Sequence, residues 1–275
     1  MAEARVRSLQ KLRNCSPTER RTLRVCADAN NLPFSNDRGG GFENEIAELL
    51  AADLGTKLSY AWAPQRRGFI RTTLNAGLCD VVMGVPSALG SVQTSRPYYR
   101  SSYVFVLGPG APRVSSLDAP ELRELRIGVP LVGAEGANPP PLLALALRGL
   151  VANVRGYSVY GDYRNESPPA ELIRALRRDE IDLAIAWGPL AGYYASQGGP
   201  KLSVAPLRQT EAPPGLDFVF DISLGVRKGD ARLLADLNRA LTRQRAAIAA
   251  VLARYSVPIS SRCRESGWAG ANCRL

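Results

Sequence analysis

Two groups of residues in this chain have the types and spacing to do chemistry. The first is a set of carboxylates. Glu43, Glu45 and Glu48 crowd the stretch GFENEIAELL, and paired carboxylates are common equipment for general acid–base work. They also open an amphipathic stretch, where the helix dipole and solvation account for acids. Asp162 and Asp221 fall near expected strand or hinge ends, where a structural role is the simpler reading. No nucleophile stands beside a base. The chain has no histidine, which removes Ser-His-Asp and Cys-His catalysis and the commonest metal ligand. Cys15, Cys26, Cys79, Cys263 and Cys273 lack the CxxC-type spacing of a cysteine-only zinc site. GVPLVGAEGAN (128–138) is glycine-rich but lacks GxGxxG and the Walker lysine, so it reads as a loop over a cleft. The second group is SRPYYRSSYVF (95–105), where Tyr98, Tyr99, Tyr103 and Phe105 alternate with Arg96 and Arg100. Polar-tipped aromatics with arginine either stiffen a half-buried strand end or face a ligand or partner.

Bulk composition bounds what can position these groups. With 275 residues and 45% apolar content, the chain can build one large or two ordinary domains. No stretch approaches the roughly 20 apolar residues of a membrane span. The first 21 residues are charged and lack the apolar stretch of a secretory signal, so an exported protein would carry this chain with its leader removed. Lysine and arginine number 35 against 25 acids, a net charge of +10. The positives are scattered among acids, which argues for docking on an acidic protein and against nucleic acid. Cys263 and Cys273 lie in a tail, RCRESGWAGANC, with little core, and a disulfide would hold it closed. A Cys26–Cys79 bridge is also expected, leaving Cys15 over. Cys26 is late in one strand and Cys79 early in the next, an offset of roughly 10 Å. Bridging needs Cα atoms within about 7 Å, so a bent approach to the second strand is required.

The elements follow from periodicity. LRVCADA (23–29) is a strand, and NLPFSNDRGGG a loop. GFENEIAELLAADLG is a helix with Ile46, Leu49, Leu50 and Leu54 on one face and Gly55 as its stop. KLSYAW is a strand, RRGFIRTTLNAG a helix with Phe69, Ile70 and Leu74 inward, and CDVVMGV a strand. Such βαβαβ order predicts a parallel sheet whose ligand site lies at the carboxyl ends of the strands. After a Gly/Pro break the pattern restarts. LRIGVP, NVRGYSVY and DLAIAWG are strands, with helices over PPLLALALRG, PPAELIRALRRDEI and PLAGYYASQ. FVFDISLGVRKGD adds a strand, and 231–255 reads as the longest helical stretch, with Leu233, Leu237, Leu241, Ile248 and Leu252 in one stripe.

In order along the chain, LRVCADANNLPFS, GFENEIAELLAADLG, LNAGLCDVVMGVPSALGSVQTSRPYY, LRIGV, DLAIAWGPLAGYY and FDISLGVRKGDARLLADLNRAL resemble the amino-acid-receptor branch of bacterial periplasmic solute-binding proteins. Closer still, LCDVVMGVP, TSRPYYRSSYVFV, VYGDY and WGPLAGYY resemble the binding-protein-like J components, MxaJ and XoxJ, encoded with PQQ-dependent methanol dehydrogenases. QRRGF and the GVP turn lean toward the XoxJ side, which goes with lanthanide-dependent enzymes. The resemblance implies an α/β fold of the two-lobed, type II periplasmic-binding-protein kind. Each lobe is then a mostly parallel sheet flanked by helices, and two crossings join them. Residues 1–21 form an N-terminal segment, 22–107 plus 216–275 lobe 1, and 108–215 lobe 2.

Amino-acid receptors hold the ligand carboxylate with an arginine and its ammonium with an aspartate. By the resemblance those positions fall here at Ala88 and Trp187, so both clamps are absent. The implied cleft or partner-binding residues are Phe34, Trp62, Ser87, Ala88, Tyr98, Tyr99, Arg100, Tyr160, Tyr163, Trp187 and Tyr194. The expected function is that of a periplasmic, monomeric accessory protein that binds the dehydrogenase or its cytochrome c and assists maturation or activation. No catalytic residue, metal or cofactor is expected, since nothing in the chain would itself hold PQQ, haem or a lanthanide. An open groove without an enclosed polar pocket goes with that reading. The alternatives are a transport receptor for a small organic solute other than a free α-amino acid, and a dehydratase-like enzyme, which would need a carboxylate pair in the cleft.

Overall fold

A computed structural model of the chain describes residues 22–131, 138–159, 163–164 and 167–260. The first part of the chain gives β1 (Thr22–Ala27), a short hairpin of β2 (Asn30–Asn31) and β3 (Ser35–Asn36), α1 (Phe42–Asp53), β4 (Lys57–Trp62), the one-turn α2 (Phe69–Thr72), β5 (Val81–Pro86), β6 (Gln93–Thr94) and the long β7 (Tyr99–Leu107). Next come β8 (Ile127–Pro130), α3 (Pro140–Leu147), β9 (Val154–Tyr157), α4 (Glu171–Arg177), β10 (Leu183–Trp187), α5 (Gly188–Ser196) and β11 (Ser203–Pro206). The chain then returns through β12 (Val219–Val226), α6 (Ala231–Arg243) and α7 (Arg245–Arg254).

The strands lie in the order β4-β1-β5-β12-β7-β10-β8-β9, with β11 on β7 and β6 on β12. In the first lobe β1 runs parallel to both β4 and β5. In the second, β8 runs parallel to β10 and β9. Strands β7 and β12 are antiparallel and carry the chain between lobes. β7 pairs with β12 through Tyr99–Ser102, then with β10 through Tyr103–Leu107. The change of partner falls inside one continuous strand. Behind this hinge the chain after α7 returns to the second lobe. Ser260 N donates to Arg100 O (2.9 Å), and Ser101 Oγ donates to Pro258 O (2.6 Å). A side chain at Gly192 would collide with the Ser256 carbonyl, so glycine is what lets this segment lie on α5.

A matching ion pair fixes the foot of each lobe's sheet. Arg24 meets Asp80 through its backbone N–H (3.2 Å), Nε (3.0 Å) and Nη2 (2.7 Å), while Nη1 donates to Gly77 O (3.0 Å). Arg126 meets Asp182 in the same way at 2.8, 3.0 and 2.6 Å, and its Nη1 donates to Asp179 O (2.7 Å). Both pairs span 56 residues of sequence. Each carbonyl acceptor belongs to a residue with positive φ, Gly77 at 78° and Asp179 at 56°. Among the described residues Asp80, unlike Asp182, also takes a second cation, Arg227, at 3.1 Å.

Several expectations change in detail. The second helix is a single turn because the chain past Thr72 winds on as turns, with Asn75 N on Ile70 O and Leu78 N on Thr73 O. Phe69, Ile70 and Leu74 are nevertheless buried. The longest helical stretch breaks at Gln244, where Gln244 Nε2 donates to Asp53 Oδ1 (3.0 Å) and Arg243 pairs with the same carboxylate. The break lets Ile248, Val251 and Leu252 join the core beside α1. Cys26 and Cys79 form a disulfide with Cα atoms 5.4 Å apart. Val82, three residues beyond Cys79, is the register partner of Cys26, so the approach to β5 bends across β1, and the bridge sits among Phe69, Ile70, Leu74 and Val92. The expected Cys263–Cys273 bridge and Cys15 lie outside the described residues.

Asp80 is 1% exposed, whereas the Asp182 side chain is 24% exposed. Asp80→Ala should therefore cost about 1–3 kcal/mol in urea unfolding, because it removes the buried acceptor shared by the Arg24 backbone N–H and the Arg24 and Arg227 guanidiniums. Asp182→Ala should cost less than half as much, and equal losses would count against the buried fork as the stronger anchor. Replacing Cys26 and Cys79 together by serine should cost about 2–4 kcal/mol. In the denatured, unreduced protein no more than three of the five cysteines should titrate as thiols.

Candidate functional site

The carboxyl ends of the parallel strands converge between the lobes, as expected of ligand sites in such sheets. They frame a cleft of about 380 Å³, the size of a small-molecule site. The first lobe contributes Asn31 and Phe34 after β1, Glu43 on α1, Gln65 and Arg66 after β4, and Gly84 to Pro86 on β5. The second contributes Pro130 at the end of β8, Trp187 at the end of β10 and Leu190 on α5. The hinge strands add Tyr99, Tyr103, Phe220 and Ile222. Tyr103, Trp187 and Phe220 form an edge-to-face triad with centroids 5.4, 5.8 and 6.4 Å apart. The wall is thus largely aromatic and apolar, and three of its rings come from strands that cross or meet at the hinge.

The sequence-predicted residues divide by place. Phe34, Tyr99 and Trp187 line the cleft. Phe34 and Tyr99 pack on Phe42, at 5.3 and 6.1 Å. Tyr98 is buried behind the wall, its hydroxyl donating to Met83 O (2.9 Å). Arg100 faces Asp221 across the β7–β12 pair, with Nη1 3.0 Å from both carboxylate oxygens. Ser87 Oγ lies 2.7 Å from Ser223 Oγ. Ala88 is exposed in a left-handed turn (φ 64°), outside the cleft lining. Trp62 stacks on Tyr60 at the end of β4, centroids 4.6 Å apart, and is partly open to solvent. Tyr160 lies outside the described residues.

Tyr163 and Tyr194 bridge the lobes. Tyr163 Oη donates to Asp28 Oδ1 (3.1 Å) and Tyr194 Oη to Leu32 O (2.9 Å), both across to the loop after β1. Ser167 N donates to Asn30 Oδ1 (3.1 Å) on the same loop. The lobes therefore touch across one rim of the cleft. Burial raises the Tyr194 phenol pKa to about 12, and burial with the neighbouring Asp28 raises that of Tyr163 further, so both stay neutral donors.

Glu43 departs from its expected role. The α1 N-terminus is capped by Asn44, whose Oδ1 accepts from Asn36 N (3.0 Å) and Gly41 N (3.3 Å). Glu45 is held by Arg254 and by the Tyr255 hydroxyl, which donates to it (2.7 Å). Glu43 instead turns into the cleft, where burial pushes its carboxyl pKa up to about 8. Asn31, Gln65 and Phe220 also line the cleft and were not singled out from sequence. Phe220 and Ile222 alternate along FDISL, the one sequence signal that could have placed them on a shared face.

The model for bacterial extracellular solute-binding proteins, family 3, matches residues 23–256. Protein MoxJ of Methylorubrum extorquens is 29% identical over 245 residues, covering 86% of this chain and 81% of that protein. Among solved structures, periplasmic binding protein XoxJ from Methylobacterium extorquens AM1 is 37% identical with a TM-score of 0.71, covering 87% of this chain and 100% of that one. MxaJ from Methlophaga aminisulfidivorans MPT is 26% identical with a TM-score of 0.72, covering 86% and 100%. An ancestral arginine-binding protein bound to glutamine, 22% identical with a TM-score of 0.59 over 86% of this chain and 98% of that one, shares the fold. The chain belongs to family 3 of the bacterial extracellular solute-binding proteins, and within it to the group of XoxJ and MxaJ.

Proposed function

We propose that this protein is a periplasmic accessory protein of a PQQ-dependent methanol dehydrogenase system of the lanthanide type, and that its cleft receives a segment of the dehydrogenase or of its cytochrome partner. The observation that carries this reading is the aromatic wall formed by Tyr99, Tyr103, Trp187 and Phe220, in which Trp187 stands, by the resemblance, where an amino-acid receptor would place its aspartate clamp. Ala88, at the arginine position, points no cation into the cleft, and Trp187 occupies the aspartate position. Large aromatics dominate the energetics of protein contacts. Among the described residues no helix is long and apolar enough to cross a membrane. The net charge of +10 favours encounter with an acidic partner and makes the association rate salt-sensitive.

A second reading has its own support. The cleft is ligand-sized, bounded by both lobes and largely apolar in lining, and suits capture of a small apolar solute for transport. The partner reading is tested by capture of the dehydrogenase and its cytochrome from periplasm on the purified chain, followed by titration. Trp187→Ala should weaken the captured complex by about 2 kcal/mol, roughly thirtyfold in Kd. Trp187→Phe, which keeps the packing on Tyr103 and Phe220, should recover part of it. Free α-amino acids at millimolar concentration should leave Tm unchanged. A clear rise with any of them would favour solute capture, since saturation at 100 times Kd adds about 2.7 kcal/mol.

A further inference from the structure

We propose that the cleft contains a cation-recognition site made by Glu43 and Asn31, and that its occupant is a protein segment presenting one lysine or arginine side chain from an apolar stretch. This rests on the partner-segment reading above and names the chemistry of the segment. Glu43 lines the cleft; its backbone N–H donates to Phe34 O (2.9 Å), while its carboxyl group makes no hydrogen bond or ion pair among the described residues. Its carboxyl group lies directly on the backbone of β5, since a side chain added at Gly84 would collide with Oε1. Glycine at that position is therefore what admits the carboxylate. Asn31 is 1% exposed and lines the same cleft. Its Nδ2 donates to Gln65 Oε1 (2.7 Å), while its Oδ1 has no partner among the described residues. A buried acceptor without a donor is costly, and here that acceptor shares one cleft with the half-buried Glu43 carboxyl group.

What satisfies both is a group rich in N–H donors. An ammonium offers three and a guanidinium five, with no acceptor of their own. A carboxamide and a single carboxylate are too few oxygens for a calcium or magnesium cage. The remaining wall, with Phe69, Tyr99, Trp187 and Phe220, suits the apolar stem of the same side chain, and the rings attract its cation.

The charges facing Glu43 define its titration. Tyr98 from the hinge side and Tyr60 from β4 interact with it, and burial holds both phenols neutral. Glu48 lies near Tyr60, and Arg66 stands on the cleft wall. Unliganded Glu43 is largely protonated at neutral pH. An arriving cation favours the carboxylate, so binding releases a proton and tightens as pH rises toward 8. Folding shows the opposite trend. The folded pKa lies above the ordinary 4.5, so the unfolded chain ionises first and stability falls as pH rises from 4.5 to 8. Glu43→Gln should thus raise Tm at pH 8 and leave it unchanged at pH 4, which also reports that the variant folds.

The test uses apolar peptides tiled from the dehydrogenase and cytochrome, each made with lysine and with norleucine at the same position, alongside phenethylammonium and neutral 2-phenylethanol. The lysine form of one peptide should bind about tenfold tighter than its norleucine form at pH 8. Glu43→Gln should remove that preference while keeping the norleucine affinity. Calorimetry at pH 6.5 in two buffers of different ionisation enthalpy should find close to one proton released per lysine peptide. Peptides that bind equally with either residue would overturn the cation site and leave the partner-segment reading standing. Glu43-dependent binding of phenethylammonium with no peptide bound would make the occupant a free amine and overturn the segment. Capture of the intact partner unaffected by Trp187→Ala, with no probe bound, would overturn both.

Discussion

The buried carboxylate of Asp80 at the foot of the first lobe's sheet is the constraint on which the rest of the architecture depends. A charge removed from water is tolerable only when its hydrogen-bonding capacity is met. Arg24 meets it from the first strand and Arg227 from the end of β12. Three separate parts of the chain, β1, the start of β5 and the end of the returning β12, are thereby fixed at one level. Because parallel strands share a direction, fixing their feet also fixes where their carboxyl ends emerge. Arg126 and Asp182 repeat the device in the second lobe at the same 56-residue spacing. The two lobes therefore present comparable sets of strand ends, and the cleft forms where these meet.

The run SRPYYRSSYVF does its work at the other level of the same sheets. It is the strand that leaves the first lobe and becomes part of the second, changing partner between Ser102 and Tyr103. Tyr98 anchors its start to Met83, and Arg100 pairs with Asp221 on the returning strand. Tyr99 and Tyr103, on either side of the change, both face the cleft. The alternatives posed by the sequence, stiff hinge or ligand-facing wall, are divided among neighbouring residues of one strand. This arrangement couples them: movement of one lobe against the other must shift the rings that line the cleft. Tyr163 and Tyr194 add rim contacts that would break if the lobes parted.

The order and type of most elements were legible because local rules and tertiary demands agree in them. Ile46 and Leu50 recur at helical spacing and are fully buried, and Gly55 ends the turn with φ 64°. The break at Gln244 was not legible, since it depends on Asp53, nearly two hundred residues away in sequence, drawing Arg243 and Gln244 together. The short β11 escaped notice because it exists only by pairing with β7. At the site, Trp187 was found through the family resemblance. Glu43 was misread because its helix-start position offered a sufficient local explanation. Its orientation depends on Gly84 across the cleft and on Asn44 having already capped α1.

Charge is arranged on two scales in this molecule, and the scales have opposite sign. Over tens of ångströms the excess of arginine sets a positive field that governs encounter and is screened by salt. Inside the cleft the unpartnered groups proposed to meet the cation are Glu43 and Asn31, set among aromatic rings where screening is weak, with Arg66 on the same wall. Long-range attraction selects an acidic body, while the cleft selects what that body inserts. A partner segment carrying a cation is repelled by the surface field unless the body bearing it is acidic, so the two demands together are more selective than either alone. The neutral state of unliganded Glu43 sharpens this. A carboxylate already ionised would draw any small cation, whereas one that ionises only on contact requires the apolar stem to be seated first. The same burial that makes the group costly to the fold makes it discriminating toward a ligand.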